Sequence, residues 1–255
     1  MSLPALFLSH GAPTLAVEET AETRAWAELG RELPKPRAIL AVSAHWDTDT
    51  PAVSGAAKPE TIHDFSGFPR ALYEQRYPAP GAPELAELAA RTLAHAGMPC
   101  AIDPRRGLDH GAWVPLKWMY PAADIPVAQL SVQSHRGARH HHELGRALAP
   151  LRDDGVLILC SGGIVHNLRE IQWQAREPVE WAKEFNDWIA DRVARGAVDE
   201  LLDYRAKAPS AARSHPTDEH LEPFFVALGA GGPDARRLAL GFTYGTLGMD
   251  SFVFG

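Results

Sequence analysis

The sequence has few cysteines and no block of basic residues. Its two cysteines, Cys100 and Cys160, lie too far apart for a CxxC redox or zinc motif, and they make no disulfide framework. The 25 Lys and Arg residues against 32 Asp and Glu give a formal net charge of −7. An acidic chain without a basic block is a poor binder of nucleic acid or of an anionic membrane, so we expect neither partner.

Several signals of targeting and chemistry are also missing. The first eight residues lack the basic region of a signal peptide, and the apolar runs are far shorter than the roughly 18–20 residues of a membrane span. We therefore expect a cytoplasmic protein. The sequence contains no GxGxxG or Walker pattern and no GxSxG elbow, which argues against a nucleotide-binding loop and against a serine hydrolase.

The 255 residues alternate short apolar runs with amphipathic stretches, and they show no internal repeat and no linker. Buried strands are predicted at residues 5–8, 38–42, 125–130 and 156–160, and a last strand at 238–242. Helices are predicted at residues 19–33, 84–95, 141–148, 177–195 and 219–228, with a surface loop at 205–216 and a turn at 229–232. This alternation predicts one α/β domain over residues 1–255, with a central, mostly parallel or mixed β-sheet flanked by helices.

Histidine is the unusual component, with twelve in the chain. His10 and His45 each follow a predicted strand, and His166 comes shortly after another. Ligands of open α/β sheets gather beyond the carboxyl ends of the strands, and neutral imidazole is the commonest transition-metal ligand. The pattern therefore favours a metal site at this edge. The alternative for each histidine alone is a hydrogen-bonded turn residue.

Five other histidines are interpreted as structural or solvated. His95 belongs to a predicted helix surface and His135 to a polar turn. His140, His141 and His142 are consecutive, and consecutive side chains on a helix point in different directions, so they make a poor shared site.

Seven ordered segments carry a resemblance to a known family. They are residues 6–13 (LFLSHGAP), 42–46 (VSAHW), 61–69 (TIHDFSGFP), 77–81 (YPAPG), 108–113 (LDHGAW), 162–169 (GGIVHNLR) and 215–220 (HPTDEH). The sequence resembles the 4,5-DOPA extradiol dioxygenase family, within the class III (LigB-like) ring-cleaving dioxygenases. The segments span nearly the whole chain.

The resemblance implies a three-histidine metal site made by His10, His45 and His220. The third ligand is a glutamate in the wider LigB-like class, and Glu219 and Glu222 beside His220 keep that alternative open.

The resemblance also implies roles for residues around the metal. His166 becomes the acid/base residue and, when zinc is bound, a possible fourth ligand. His110 becomes a further acid/base or substrate-orienting group. His63 and Asp64 belong to a loop that lines the substrate pocket, and a pair that merely caps the loop is the alternative. Ser66 stands where relatives often carry a bulkier residue.

The implied activity is cleavage of a catechol with O₂ at Fe(II), with Zn(II) possible in the purified protein. Three protein ligands on one face leave open positions for both phenolic oxygens and for O₂. Two alternative hypotheses for the function are a zinc hydrolase on the same scaffold and a non-catalytic metal-binding protein. The sequence leaves open which catechol is cleaved and at which bond.

Overall fold

The computed structural model describes residues 2–175 and 177–255. Its strands are β1 (Ala5–Ser9), β2 (Ala38–Asp47), β3 (Ala52–Ser54), β4 (Ala101–Asp103), β5 (Val127–Val132), β6 (Val156–Gly162), β7 (Ala235–Leu238), β8 (Phe242–Thr243), β9 (Leu247–Gly248) and β10 (Ser251–Phe254). Its α-helices are α1 (Ala21–Glu32), α2 (Arg70–Tyr73), α3 (Pro83–His95), α4 (His110–Met119), α5 (Gly137–Leu148), α6 (Glu180–Ala194), α7 (Val198–Leu202), α8 (Tyr204–Lys207), α9 (Ala211–Ser214) and α10 (Glu222–Gly231). Short 3₁₀ helices cover Pro13–Ala16, Ser134–Arg136, Ala149–Arg152 and Leu168–Glu170.

A mixed sheet of eight strands, in the order β4-β3-β5-β2-β6-β1-β10-β7, organises the chain, and β8 pairs with β9 apart from it. The central strands β5, β2, β6 and β1 run parallel to one another, while β3 is antiparallel to β5 and β10 is antiparallel to both β1 and β7. The predicted α/β class with a mixed sheet flanked by helices is confirmed.

The strands are apolar on both faces because helices cover both sides of the sheet. In β1, Phe7 packs with α5 and α10 on one side, whereas Leu6 and Leu8 pack with α1 and α4 on the other. This alternation follows from the two-residue period of a strand. Because both faces of the sheet are covered, the sequences of the central strands are continuous apolar runs, as is typical of buried parallel strands.

The topology brings three histidine-bearing strand ends together. β2, β6 and β1 are adjacent and parallel, so their carboxyl ends meet at one edge of the sheet. His10 follows β1 directly, His45 lies near the end of β2, and His166 comes four residues after β6. The second strand runs to Asp47, beyond the predicted 38–42, so His45 is a strand residue rather than a residue of the following loop.

Three predictions near the carboxyl terminus are wrong. The predicted surface loop at 205–216 contains the short helices α8 and α9, and Ser214 and His215 are fully buried. The His215 ring pairs through Nε2 with the carbonyl oxygen of Ile164 at 2.7 Å, which draws this polar stretch inward.

The predicted last strand at 238–242 is also misplaced. The chain forms β7 at Ala235–Leu238 and returns as the four-residue strand β10, which pairs antiparallel with β1. Such a short terminal run gives little periodic signal, and its pairing partner is about 240 residues away in sequence, so local pattern cannot reveal it. The predicted turn at 229–232 is helical through Gly231, and the chain turns at Gly232, whose φ is 87°.

Among the residues that the structure describes, there is no helix with both the length and the apolar character needed to cross a membrane.

Candidate metal centre

Five histidine rings line one cavity of about 360 Å³ at the carboxyl edge of the sheet. They are His10, His45, His110, His166 and His220. His110 is the first residue of α4, and His220 stands two residues before α10, so the rings come from five separate places in the chain. The cavity thus contains the three histidines expected at strand ends and two more that lie at or just before the start of a helix.

The rings of His10 and His45 form the centre of this cluster. Their Nε2 atoms lie 2.9 Å apart. The His110 ring centroid is 5.3 Å from that of His10 and 4.0 Å from that of His45, and the His220 centroid is 5.5 Å and 5.0 Å from the same two. His110 and His220 therefore both flank the central pair.

The ring nitrogens fall into two groups that have metal-ligand spacing. His10, His45 and His110 each offer a nitrogen, and these atoms lie within 4.8 Å of one another. His166, Glu219 and His220 form a second group by the same measure. The first group differs from the expected ligand set by containing His110 in place of His220.

The Asp64 carboxylate holds two of the rings in place. Its Oδ1 accepts hydrogen bonds from the backbone N–H and from Nδ1 of His110, at 3.0 and 2.9 Å, and its Oδ2 lies 3.2 Å from Nδ1 of His45. Burial by itself raises the pKa of Asp64, but the hydrogen bonds from His110 together with the charge interactions with His110 and His45 outweigh it and hold that pKa well below its usual range. Because an ionised carboxylate only accepts, Nδ1 of both rings must carry the proton, which leaves Nε2 of each with a free lone pair.

His220 is oriented in the same way by its neighbour in sequence. Its Nδ1 lies 2.9 Å from Oε1 of Glu219, while its Nε2 is buried and has no hydrogen-bond partner among the described residues. The backbone at His220 packs against β6, where the N–H of Gly163 donates to the His220 carbonyl at 2.9 Å. A Cβ on Gly162 would lie 2.1 Å from that oxygen, so only glycine permits this approach.

This donor set fits a divalent metal ion. His45, His110 and His220 present Nε2 lone pairs in one cavity, each backed by a carboxylate, which is the arrangement that orients metal-bound histidines in proteins. Burial, followed by the charge of neighbouring histidines, lowers the pKa of His45 to about 3 and those of His10 and His220 well below the usual value. The rings are therefore neutral at pH 7, the form in which imidazole binds a metal.

His166 lies against the cluster rather than at its centre. Its ring stacks on that of His220 with centroids 3.4 Å apart and planes 9° apart. Burial and the neighbouring His45 lower its pKa to about 3, so this ring is also neutral at pH 7.

A buried polar network joins the His110 helix to the His45 strand, and sequence reasoning missed it. The Asp109 side chain caps α4 by accepting from the N–H of Ala112, and it also accepts from Oγ of Ser43 at 2.7 Å and from Nη2 of Arg106 at 2.8 Å. The signal was available in the sequence, since Asp is a preferred N-cap residue and directly precedes His110.

The remaining candidates lie elsewhere. His63 is not among the described residues that line the cavity; its Nε2 lies 3.1 Å from the carbonyl oxygen of Gln75, although the adjacent Asp64 enters the site. Glu222 is fully buried and its Oε2 lies 2.6 Å from Nδ1 of His141, which directs it toward α5. His95 and His135 are exposed, and His140 and His141 are buried in hydrogen-bonded positions.

Comparison with known proteins covers almost the whole chain. Residues 4–255 match the family described as the catalytic LigB subunit of aromatic ring-opening dioxygenase. The chain is 45% identical over 234 residues to 4,5-DOPA dioxygenase extradiol of Beta vulgaris, covering 90% of this chain and 87% of that protein. It is 43% identical over 260 residues to the protein of the same name from Escherichia coli (strain K12), covering 99% and 95%.

A solved structure extends the likeness to three dimensions. The crystal structure of an uncharacterized protein from Escherichia coli K12 superposes with a TM-score of 0.83 at 38% sequence identity, covering 99% of this chain and 100% of that one. The residues matched by the family include all five histidines of the cavity.

Proposed function

The chain belongs to the family of catalytic LigB subunits of aromatic ring-opening dioxygenases and is an extradiol dioxygenase, and from this premise we propose that it opens the ring of a catechol at a metal ion held by His10, His45 and His220. The observation that carries the proposal is that the three rings meet at one cavity. Nε2 of His10 lies 2.9 Å from Nε2 of His45, and the rings of His45 and His220 each have a carboxylate at Nδ1, on the side away from Nε2. The catalytic domain is proposed to span residues 1–255.

We propose Fe(II) as the metal of the active enzyme, with Zn(II) able to take the same site and His166 as its fourth ligand. Bound Fe(II) supplies open positions for both catechol oxygens and for O₂ and makes a bound hydroxyl more acidic. The buried, unpaired Nε2 of His220 supports its assignment as the third ligand. The nitrogen group formed by His10, His45 and His110 supports the competing assignment of His110.

The other two histidines of the cavity, His166 and His110, are proposed to accept and donate protons during the reaction. His166 lines the cavity as a neutral imidazole stacked on His220, which places a ring nitrogen where it can exchange a proton with a bound substrate. His110 has its Nδ1 proton held by Asp64, so its Nε2 can take up a proton and return it, as an imidazole backed by a carboxylate does. Both oxygen atoms of O₂ enter the product as one ring carbon–carbon bond breaks, so the overall reaction needs no external reductant.

The substrate is proposed to be a catechol, and the names of the relatives make DOPA the first compound to test. The experiment is anaerobic loading with Fe(II), followed by oxygen uptake with DOPA, caffeate and protocatechuate and by detection of a ring-opened product. Uptake of one O₂ per catechol is expected. Absence of oxygen uptake with every catechol tested would refute the proposal and would favour the alternative of a zinc hydrolase.

The third ligand is tested by two matched variants. We expect His220→Ala to lose bound metal, and His110→Ala to keep its metal while losing turnover. The metal content of each folded variant, measured by mass spectrometry, distinguishes His220 from His110 as the third ligand. Metal loss in His110→Ala with retention in His220→Ala would reverse the assignment.

A further inference from the structure

The mouth of the metal cavity carries exposed apolar side chains that the dioxygenase reaction itself does not require. We call the side chains of Leu168, Ile171, Trp173 and Tyr244 the rim; all four line the cavity. Leu168 is 59% exposed and Trp173 is 68% exposed, and they are two of the four large apolar side chains exposed in the described part of the chain. Contiguous exposed apolar surface marks a place where something binds.

The rim is built on backbone that is held in place. The hairpin β8–β9 turns at Tyr244 and Gly245, and Tyr244 adopts a φ of 51°, a left-handed conformation that costs an aromatic residue energy. The Tyr244 carbonyl accepts from the N–H of Gln172 at 3.0 Å, and the Gly245 carbonyl accepts from the N–H of Val179 at 2.9 Å. The hairpin therefore braces the loop that carries Trp173, and the two aromatic rings meet with centroids 4.9 Å apart.

The same hairpin is tied to the histidine cluster. The N–H of Gly248 donates to the carbonyl of Val165, directly before His166, at 3.2 Å. Because a left-handed backbone at an aromatic residue persists only where the surrounding structure enforces it, we take the hairpin backbone that carries Tyr244 to be held in place next to the segment that leads into His166.

Two phenylalanines also line the cavity. The Phe65 ring lies 5.6 Å from that of His110, and the Phe68 ring lies 5.6 Å from that of Phe65. When the hydroxyls of a catechol reach the histidines, the rest of the cavity is left for its ring substituent. These phenylalanines and the rim are among the residues that line that space.

We propose that the rim is a subsite for a bulky, uncharged aryl or alkyl substituent, so that the preferred substrates are catechols bearing such a group rather than a charged side chain. The inference rests on the proposed function and deepens it. An aryl group stacks against Trp173 and Tyr244 and covers surface that is otherwise exposed to water. The ammonium and carboxylate of DOPA lose hydration against the same surface.

The test compares 4-phenylcatechol, DOPA and unsubstituted catechol on the Fe(II)-loaded protein, with kcat/KM from oxygen uptake. Anaerobic binding is followed separately by titration calorimetry and by quenching of tryptophan fluorescence. We expect kcat/KM for 4-phenylcatechol to exceed that for DOPA by at least about tenfold, the size of effect that one apolar contact in a pocket produces. A preference for DOPA overturns the inference.

Variants assign the effect to the rim. Trp173→Ala and Tyr244→Asn are each expected to lower the ratio of kcat/KM for 4-phenylcatechol to that for catechol by about tenfold. Asparagine tolerates the left-handed backbone at position 244, so this change removes the ring without unfolding the turn. Ile102→Ala, which trims an exposed apolar side chain away from the cavity, is the matched control and leaves the ratio unchanged.

The outcomes separate the two proposals. Unchanged ratios in both rim variants refute the subsite while leaving ring cleavage intact. If no catechol is cleaved by the parent, the proposed function fails; calorimetric binding of 4-phenylcatechol that weakens in Trp173→Ala still supports the subsite in that case.

Discussion

The Asp64 carboxylate offers the sharpest test of how the site is organised. In Asp64→Asn the remaining amide oxygen can keep both hydrogen bonds from His110, but the new NH₂ group then faces Nδ1 of His45. Two donors cannot pair, so the His45 proton moves to Nε2 or the ring turns away. Either response removes the Nε2 lone pair that we propose binds the metal.

The size of the effect follows from the interaction that is lost. A hydrogen bond to a charged group contributes about 1.5–3 kcal/mol, and each 1.4 kcal/mol is tenfold in affinity. The metal dissociation constant should therefore rise about 10–100-fold, in agreement with the usual cost of changing a residue that orients a metal-bound histidine.

The assay is competition for Fe(II) or Zn(II) with a chelator of known affinity, under anaerobic conditions. Asp47→Asn is the control, because Asp47 lies on β2 two residues after His45 and, like Asp64, accepts hydrogen bonds, but from Ser134 rather than from a histidine. We expect its metal affinity to stay within twofold of the parent. An equally small change in Asp64→Asn would refute the reasoning.

Four further outcomes are expected. His166→Ala should keep the fold and bound Fe(II) but slow turnover by about 10²–10⁴-fold, and a normal single-turnover rate would remove it from the reaction. Gly162→Ala should lower the free energy of unfolding by about 1–3 kcal/mol, since its Cβ meets the His220 carbonyl; urea denaturation measures this, and an unchanged midpoint contradicts the close approach. His140→Ala should leave turnover unaltered, and a large loss would give that buried ring a role in the site. Burial lowers the pKa of His215 from 6.5 to about 3, so the free energy of unfolding falls by about 1.4 kcal/mol per pH unit as pH falls below 6.5. The difference in free energy of unfolding between the parent and His215→Asn should therefore narrow from pH 7.5 to 5.5. A difference that stays constant over this range would contradict the lowered pKa.

Local pattern in the sequence predicted the central strands and five of the ten α-helices described above, namely α1, α3, α5, α6 and α10, but not α4, which begins at His110. Helices cover both sides of the central strands β1, β2, β5 and β6. The apolar composition of these strands therefore predicts their burial. The pattern also placed His10 directly after β1, and motifs along the whole chain indicated the family, whereas His45 lies inside β2 because that strand extends beyond its predicted end.

Tertiary structure decided which groups face each histidine. His63 and Asp64 are neighbours in sequence, yet one lies against Gln75 while the other bridges two rings of the site, because side chains of consecutive residues point in different directions. The buried position of His215 and the pairing of β10 with β1 depend on partners far away in the chain. Hydrogen-bond partners, proton positions and the apolar rim arise from contacts between distant segments, and periodicity reports only whether a residue is buried, not what it touches.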